Sequence, residues 1–166
     1  MPSLPSHRGL RFYLSGGMEY AAGEGRDWRQ QMQEWIESEL GGRTFNPNVE
    51  SERFFAERYP GVDFRAAKKS DPGLYREIVA RLVEIDTREI AERTDLLICY
   101  WDEGAARGAG TKGELTMARY FGKPVYLVTT IPFEEIPGWV IGCTDRIFKS
   151  FDELKTFCRT PLSALR

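Results

Sequence analysis

The segment Asp95–Trp101, DLLICYW, is a nearly continuous run of apolar residues and constrains the fold more than any other part of the chain. A strand with one face in water alternates apolar and polar side chains, whereas a strand covered on both faces is apolar throughout. The run is therefore typical of an inner strand of a parallel sheet. It is followed by the glycine-rich segment Asp102–Gly113, which we predict to be a loop, and by a helical pattern over Glu114–Phe121.

Strand-like and helix-like patterns alternate along the rest of the chain. Further strands are predicted at Arg11–Ser15, Arg43–Asn48, Lys123–Thr130 and Asp145–Ser150. Helical spacing of apolar side chains predicts helices at Asp27–Leu40, Pro72–Arg93 and Phe151–Cys158. This alternation predicts an α/β fold: a single-domain, doubly wound parallel sheet of about five strands, Rossmann-like or flavodoxin-like. Residues 50–69 show no assignable pattern, and we expect a flexible N-terminus at residues 1–10 and the domain at residues 11–160.

The composition excludes several classes of partner. Hydrophobic residues make up 42% of the chain, which is enough for a core, and a net charge of −2 gives no basic surface for nucleic acid or an anionic membrane. No stretch approaches the roughly 20 apolar residues of a membrane helix. Three scattered cysteines do not form a disulfide framework or a zinc site, so a reducing, cytoplasmic setting is expected.

The single histidine, His7, lies in the segment that we expect to be flexible. A Ser-His-Asp triad, a Cys-His pair or a histidine-bound metal is therefore not expected, and no cofactor is predicted. If the chain is an enzyme, carboxylates, hydroxyls and backbone groups must carry its chemistry.

The most distinctive local motif is GAGTKGE, Gly108–Glu114, between the buried strand and the next helix. A helix N-terminus offers unpaired N–H groups and partial positive charge, and Gly110 lets a ligand approach the backbone, so the motif favours an anion. Thr111 is a reasonable N-cap, which places Glu114 at the capping-box position. On spacing alone, Glu114 is more often a helix cap than a catalytic group. The order of residues is neither a Walker A loop nor a dinucleotide fingerprint.

Other polar residues fall where a parallel sheet binds its ligands. The carboxyl ends of the predicted strands carry Ser15, Gly16, Gly17, Asn46 and Asp102. Tyr13 lies on the first strand, and Asp86 lies among the apolar positions of the long helix. Taken separately, Tyr13 is equally well explained as a core residue and Asp86 as a solvated one.

Together these segments resemble a known family. FYLSGGM near the start, TDLLICYW in the middle and GTKGELTMARYFGKPVYLV later are similar to nucleoside 2-deoxyribosyltransferases and the related nucleoside 5′-monophosphate N-glycosidases. The resemblance extends over residues 11–158 and is most specific at Gly110–Val128. It implies a Rossmann-like cytoplasmic enzyme, a homodimer or larger homo-oligomer, that cleaves or transfers the N-glycosidic bond of a (deoxy)nucleoside or nucleotide as a hydrolase or transferase.

The resemblance also implies roles for individual residues. Glu114 matches the nucleophile, Tyr13 the tyrosine that positions it, and Asp86 the acid that protonates the leaving base. A retaining glycosyl transfer needs one attacking carboxylate and a second acid, with water or another base as acceptor. We expect the substrate-binding residues to be Ser15, Gly16, Gly17, Asn46, Asp102, Gly108, Gly110 and Thr111.

The sequence departs from the family in the glycine-rich loop. The family carries an acid six residues before the nucleophile, where it binds the sugar 5′-hydroxyl, and this chain has Gly108 there. A glycine N–H beside Arg107 and Lys112 would bind a phosphate that a carboxylate would repel. We therefore favour a nucleoside 5′-monophosphate over a free nucleoside.

Two more departures leave alternatives open. The spacing from Asp86 to Asp95 is longer than the family pattern, so Asp102 or Glu89 could be the acid instead. The segment Ile136–Asp145 resembles the region with which a neighbouring subunit completes the site in the family, but it lacks the expected Asn, and its Trp139 is interpreted as a packing or interface residue. A non-catalytic nucleotide-binding module and an interaction domain on the same scaffold remain alternatives.

Overall fold

The computed structural model describes residues 7–160, which form a parallel sheet flanked by helices. The strands are β1 (Arg11–Gly16), β2 (Arg43–Phe45), β3 (Leu96–Tyr100), β4 (Val125–Val128) and β5 (Arg146–Phe148). Their order across the sheet is β2-β1-β3-β4-β5, and each neighbouring pair is parallel. The predicted α/β class and parallel sheet are confirmed, with the flavodoxin-like strand order.

Eight α-helices connect and cover the strands within the described residues. They are α1 (Arg26–Glu39), α2 (Pro47–Arg58), α3 (Phe64–Ser70), α4 (Pro72–Glu92), α5 (Glu103–Arg107), α6 (Gly110–Tyr120), α7 (Gly138–Gly142) and α8 (Phe151–Arg159). Short 3-10 segments are at Ala22–Gly25 and Phe133–Glu135. None of the helices in residues 7–160 combines the length and apolar character that crossing a bilayer requires.

The two faces of the sheet pack against different helices. Phe12 and Leu14 of β1 pack with buried residues of α1 and α8, whereas Tyr13 packs with buried residues of α4, α5, α6 and α7. The same alternation runs along β3, where Ile98 belongs to the first layer and Cys99 to the second. Helices therefore cover both faces of the sheet, which is why polar and apolar residues do not alternate along DLLICYW.

The order of the strands creates a crevice beside β1. The chain leaves β1 towards β2 on one side and later returns as β3 on its other side. The helices that follow β1 and β3 therefore cover opposite faces of the sheet, and the carboxyl edge between them is where open α/β sheets bind their ligands.

Residues 43–69 differ from the sequence-based expectation. The strand predicted to Asn48 ends at Phe45, because Asn46 caps α2 through its side chain, which accepts a hydrogen bond from the Asn48 backbone N–H at 3.1 Å. Pro47 follows at the first helical position, where a missing N–H costs nothing. The Asn-Pro pair thus begins a helix, and the unassigned segment forms α2 and α3.

The glycine-rich segment also differs from the prediction. It contains a short helix, α5, whose N-cap is Asp102. Helix α6 begins at Gly110 instead of Glu114, and its N-cap Ala109 makes no side-chain cap. The predicted capping box is therefore wrong: Thr111 lies inside the first turn, and the Glu114 carboxylate is available for other contacts.

His7, within the expected flexible segment, packs against the sheet. It is 5% exposed, and its Nε2 lies 3.0 Å from the Tyr126 hydroxyl. Its ring also contacts Phe157 edge-on. Burial lowers the pKa of His7, so the neutral imidazole is favoured. The rest of the expected flexible segment, residues 1–6, lies outside the described residues.

Candidate active site

The Glu114 carboxylate is held at both oxygens by side chains of β1. The Tyr13 hydroxyl donates to Oε1 at 2.8 Å, and the Ser15 hydroxyl donates to Oε2 at 2.5 Å. Tyr13 and Ser15 are two positions apart and so project from the same face of β1, towards α6. A buried central strand thus fixes the orientation of an acid on a neighbouring helix.

Burial sets the protonation behaviour of this group. It raises the pKa of Glu114, while the hydrogen bonds from Ser15 and Tyr13 and the positive charge of Arg29 act in the opposite direction. Burial and the nearby Glu114 charge raise the pKa of Tyr13 well above its ordinary value. The phenol therefore remains a hydrogen-bond donor.

Asp86 projects from α4 into the same cavity. Burial, followed by repulsion from the Glu114 charge, raises the pKa of Asp86 well above its ordinary value, and the charge of Arg29 only partly opposes this. Two carboxyl groups that interact in this way do not ionise together readily, so one favours the protonated form. The cavity thus contains two interacting carboxyl groups, of which Glu114 is anchored by hydrogen bonds and Asp86 has the more strongly raised pKa.

The two alternative acids are engaged elsewhere. Asp102 accepts from the Ala105 backbone N–H at 2.8 Å as the cap of α5. Glu89 forms an ion pair with Arg11 at 2.5 Å and lines a different cavity, of about 750 Å³, which is bordered by arginine and glutamate side chains. Of the three candidates, only Asp86 borders the cavity that contains Glu114.

The cavity has a volume of about 730 Å³ and combines a polar base with an apolar wall. Most of the expected site residues line it: Gly16, Gly17, Asp86, Gly108, Gly110, Thr111 and Glu114. The wall includes the helical residues Phe55, Phe64, Tyr75, Val79, Leu82 and Met117. Tyr13 and Ser15 reach the site through their bonds to Glu114.

Within residues 7–160, the lining of this cavity does not include Asn46 or Asp102. Asn46 caps α2, and its amide donates to Gln33 at 3.0 Å. Both are strand-end residues whose side chains satisfy the backbone of a following helix. The position of a residue at the carboxyl end of a strand therefore predicts the edge of the sheet where the cavity lies, but it does not distinguish residues that line the cavity from residues that cap a helix.

Arg29 is a central residue that the sequence analysis missed. It is 1% exposed, and its guanidinium donates to the carbonyl oxygens of Leu14 at 3.0 Å and Gly16 at 2.8 Å. It also donates to the Glu24 carbonyl at 3.0 Å and to Asn48 Oδ1 at 3.2 Å. The guanidinium thus ties the end of β1 to the loop beyond it. Its spacing from Met32 and Ile36 places it on the apolar face of α1, a signal that could have revealed it.

The paired glycines after β1 allow close packing within the protein. A Cβ at Gly17 would lie 2.7 Å from the Ala105 backbone nitrogen, and one at Gly16 would lie 2.8 Å from the ring of Trp28. Gly17 therefore lets the loop after β1 lie directly on α5, and Gly16 lets the end of β1 approach α1. At Gly110, by contrast, an added Cβ would meet nothing within 4 Å.

The N-terminus of α6 opens into the cavity with its first N–H groups uncapped by any side chain. Thr111 is 4% exposed and lines the cavity. The expectation for Gly108 is not met, because its N–H donates to the Gly104 carbonyl at 3.1 Å. The Lys112 ammonium donates to the Ala106 carbonyl at 2.6 Å, and the Arg107 guanidinium lies over the Tyr20 ring.

Comparison with known proteins gives matches in structure and none in sequence. No family model matches the chain, and no curated protein matches its sequence. Among solved structures, the Clostridium botulinum CMP N-glycosidase BcmB matches with a TM-score of 0.52 and 18% identity, over 94% of this chain and 99% of that chain. The two chains share a fold. This supports the fold that the sequence resemblance implied.

The segment Ile136–Asp145 lies beside the cavity. Trp139 is exposed, and its indole N–H donates at 2.8 Å to the hydroxyl of Thr116, which lines the cavity. Within the described part of the chain, no group of His, Cys, Asp and Glu side chains is arranged to hold a metal ion. The chemistry that the described residues can carry is that of two carboxyl groups, a phenol and hydroxyls.

Proposed function

We propose that the chain is an N-glycosidase that cleaves the N-glycosidic bond of a nucleoside 5′-monophosphate, with water or a second base as the acceptor. The observation that carries the proposal is the Glu114 carboxylate, hydrogen-bonded by Tyr13 and Ser15, in a cavity that it shares with Asp86. Further support comes from the fold that the chain shares with a CMP N-glycosidase.

In the first step, a Glu114 oxygen attacks the anomeric carbon of the sugar. The carbon–nitrogen bond breaks, and its electron pair goes to the base nitrogen. Asp86 transfers its proton to the departing base, either to that nitrogen or to another basic atom of the ring. The products are a glycosyl ester on Glu114, the free base and an ionised Asp86.

In the second step, the Asp86 carboxylate takes a proton from the incoming water or base. The acceptor forms a bond to the anomeric carbon, and the ester bond to Glu114 breaks. Tyr13 and Ser15 stabilise the carboxylate that leaves, because both donate to its oxygens. Asp86 ends the cycle protonated, as it began.

The 5′-phosphate is proposed to bind at the N-terminus of α6. Uncapped N–H groups and the helix dipole favour a phosphate there. Thr111 is buried and lines the cavity, so its hydroxyl is placed to donate to a phosphate oxygen. This proposal replaces the Gly108 N–H by the first turn of the helix.

Base release from a panel of nucleosides and their 5′-monophosphates tests the activity, with the free base separated by chromatography. The wild type is expected to release base, and Glu114→Gln to lose at least about a hundredfold in rate while still folding and binding. The matched control is Glu92→Gln, because Glu92 is an exposed carboxylate at the end of α4. Nucleotide binding without any base release would favour the non-catalytic module.

The phosphate preference is tested with the same panel. We expect the monophosphate to be cleaved in preference to the free nucleoside, and Thr111→Val to weaken that preference by lowering the rate on the monophosphate alone. A preference for the free nucleoside would refute this part of the proposal and leave the role of Glu114 untouched.

A further inference from the structure

The loop after β1 contains three consecutive residues with left-handed backbone. Gly23, Glu24 and Gly25 have φ angles of 56°, 55° and 68°. Glu24 is the one non-glycine residue with positive φ in residues 7–160. A side chain makes this conformation costly, whereas glycine adopts it freely. The position therefore carries strain that a third glycine would remove.

Two buried side chains hold the strained residue in place. The Glu24 carbonyl accepts hydrogen bonds from Arg29 Nη1 at 3.0 Å and from Asn48 Nδ2 at 3.1 Å. Both donors are almost fully buried. The backbone of Glu24 is thus fixed from two elements, α1 and α2, and its side chain is presented in a defined direction.

The Glu24 side chain lines the cavity that contains Glu114 and remains 37% exposed. Its Oε1 accepts from Arg65 at 3.1 Å, and its Oε2 accepts from Arg26 at 3.3 Å. The Arg65 guanidinium lies 5.1 Å from the centre of the Phe64 ring, and Phe64 stacks on Tyr75. A hydrogen-bond acceptor beside a donor therefore borders the aromatic wall of the cavity.

We propose that Glu24 determines base specificity by accepting a hydrogen bond from an exocyclic amino group of the base. The inference rests on the proposed function, which puts the sugar at Glu114 and the phosphate at α6 and leaves the aromatic wall for the base. Aromatic side chains suit the flat face of a base. A carboxylate only accepts, so it attracts an amino group and repels an oxo group at the same place.

Matched substrate pairs isolate this contact. Cytidine and uridine 5′-monophosphates, like adenosine and inosine 5′-monophosphates, differ by an amino group in place of an oxo group. We expect wild-type kcat/KM to favour the amino member of at least one pair by about tenfold or more, the scale of a hydrogen bond to a charged group. Glu24→Gln should bring that ratio close to one, because an amide both donates and accepts.

Glu24→Gly separates recognition from stability. It should abolish the preference while the Tm stays at or above that of the wild type, because glycine relieves the strain. Glu50→Gln is the matched control: Glu50 pairs with Arg53 at 3.1 Å, its backbone is ordinary, and it lines the other cavity. We expect it to leave the amino-to-oxo ratio unchanged.

Several results would overturn the inference. Equal wild-type rates within both pairs would do so, as would variants of Glu24 that slow all four substrates by the same factor, since that pattern means the residue only ties the loop to α3. If the wild type releases no base at all, the proposed function fails, and the same ratios are then measured as Kd values by calorimetry. A binding preference that depends on Glu24 would then support the role of Glu24 without the proposed activity. If no nucleotide binds, both the proposed function and the role of Glu24 are refuted.

Discussion

Replacing Tyr13 by Phe removes one donor from the Glu114 carboxylate and leaves the ring in place. The phenol donates to Glu114 Oε1 at 2.8 Å, and this bond favours the ionised carboxylate. A hydrogen bond to a charged group is worth about 1.5–3 kcal/mol. Since one pKa unit corresponds to about 1.4 kcal/mol, the Glu114 pKa should rise by about one to two units in the variant.

The assay is the pH dependence of kcat/KM for base release. The proposed nucleophile must be ionised to attack, so activity is expected to rise with pH through the pKa of Glu114 in the free protein. Tyr13→Phe should move this acidic limb upward by about one to two pH units. Above this limb, the plateau of kcat/KM should stay below the wild-type value, because the variant also loses a donor to the departing carboxylate.

A matched control removes a different buried phenol. Tyr126→Phe deletes the hydroxyl that contacts His7 in the other layer of the protein, so it should leave the acidic limb in place. A limb that stays fixed in Tyr13→Phe, or that shifts equally in both variants, would refute the argument that this hydrogen bond sets the protonation of Glu114.

Four further substitutions test the supporting structure. Asp86→Asn should slow base release about 10²- to 10⁴-fold. It should also raise the free energy of unfolding by on the order of 1 kcal/mol at pH values above the folded-state pKa of Asp86. The reason is that a carboxyl group whose pKa is raised by folding makes the protein less stable as pH rises from its unfolded-state pKa to its folded-state pKa. Urea unfolding at several pH values measures this, and a variant less stable at high pH contradicts it. Arg29→Met should lower the free energy of unfolding by about 3–5 kcal/mol, because it leaves buried carbonyl groups without a hydrogen-bond donor. An unchanged urea midpoint would contradict the proposed role of Arg29 in holding the loop after β1. Gly17→Ala should cost about 1–3 kcal/mol because its Cβ meets the Ala105 nitrogen, whereas Gly110→Ala, with open space, should be nearly neutral; equal Tm values for the two would contradict the steric reasoning.

The parts of the fold that sequence could predict are those where burial dictates the pattern. Asp95–Trp101 is apolar throughout because helices cover both faces of β3, and the long helix Pro72–Glu92 follows from regular apolar spacing. Helices α2 and α3 escaped because charged residues fill their exposed faces and few of their side chains are buried. Their apolar faces line a cavity, which imposes no clear periodicity.

The candidate site divides in the same way. The resemblance pointed to Glu114, Tyr13 and Asp86. In the structure, Glu114 and Asp86 line one cavity, and Tyr13 is hydrogen-bonded to Glu114. Residues that act through the backbone were not found: the helical start of α6 was misplaced because Gly110 gives no capping signal. Glu24 could not be found either, because a left-handed φ depends on how Arg29 and Asn48 hold the loop, and these contacts span distant parts of the chain.

The cavity draws its two sides from parts of the molecule with different freedom to change. Tyr13 and Ser15 belong to a central strand that is hydrogen-bonded on both edges, and α6 packs directly on it. Two aromatic residues of the wall, Phe55 and Phe64, come from α2 and α3, which are inserted between β2 and α4 and contribute no strand to the sheet. Insertions or exchanges in residues 47–70 can therefore reshape the space around the Glu114 carboxylate while its hydrogen bonds to β1 keep their geometry, so new ligands become accessible without rebuilding this part of the cavity.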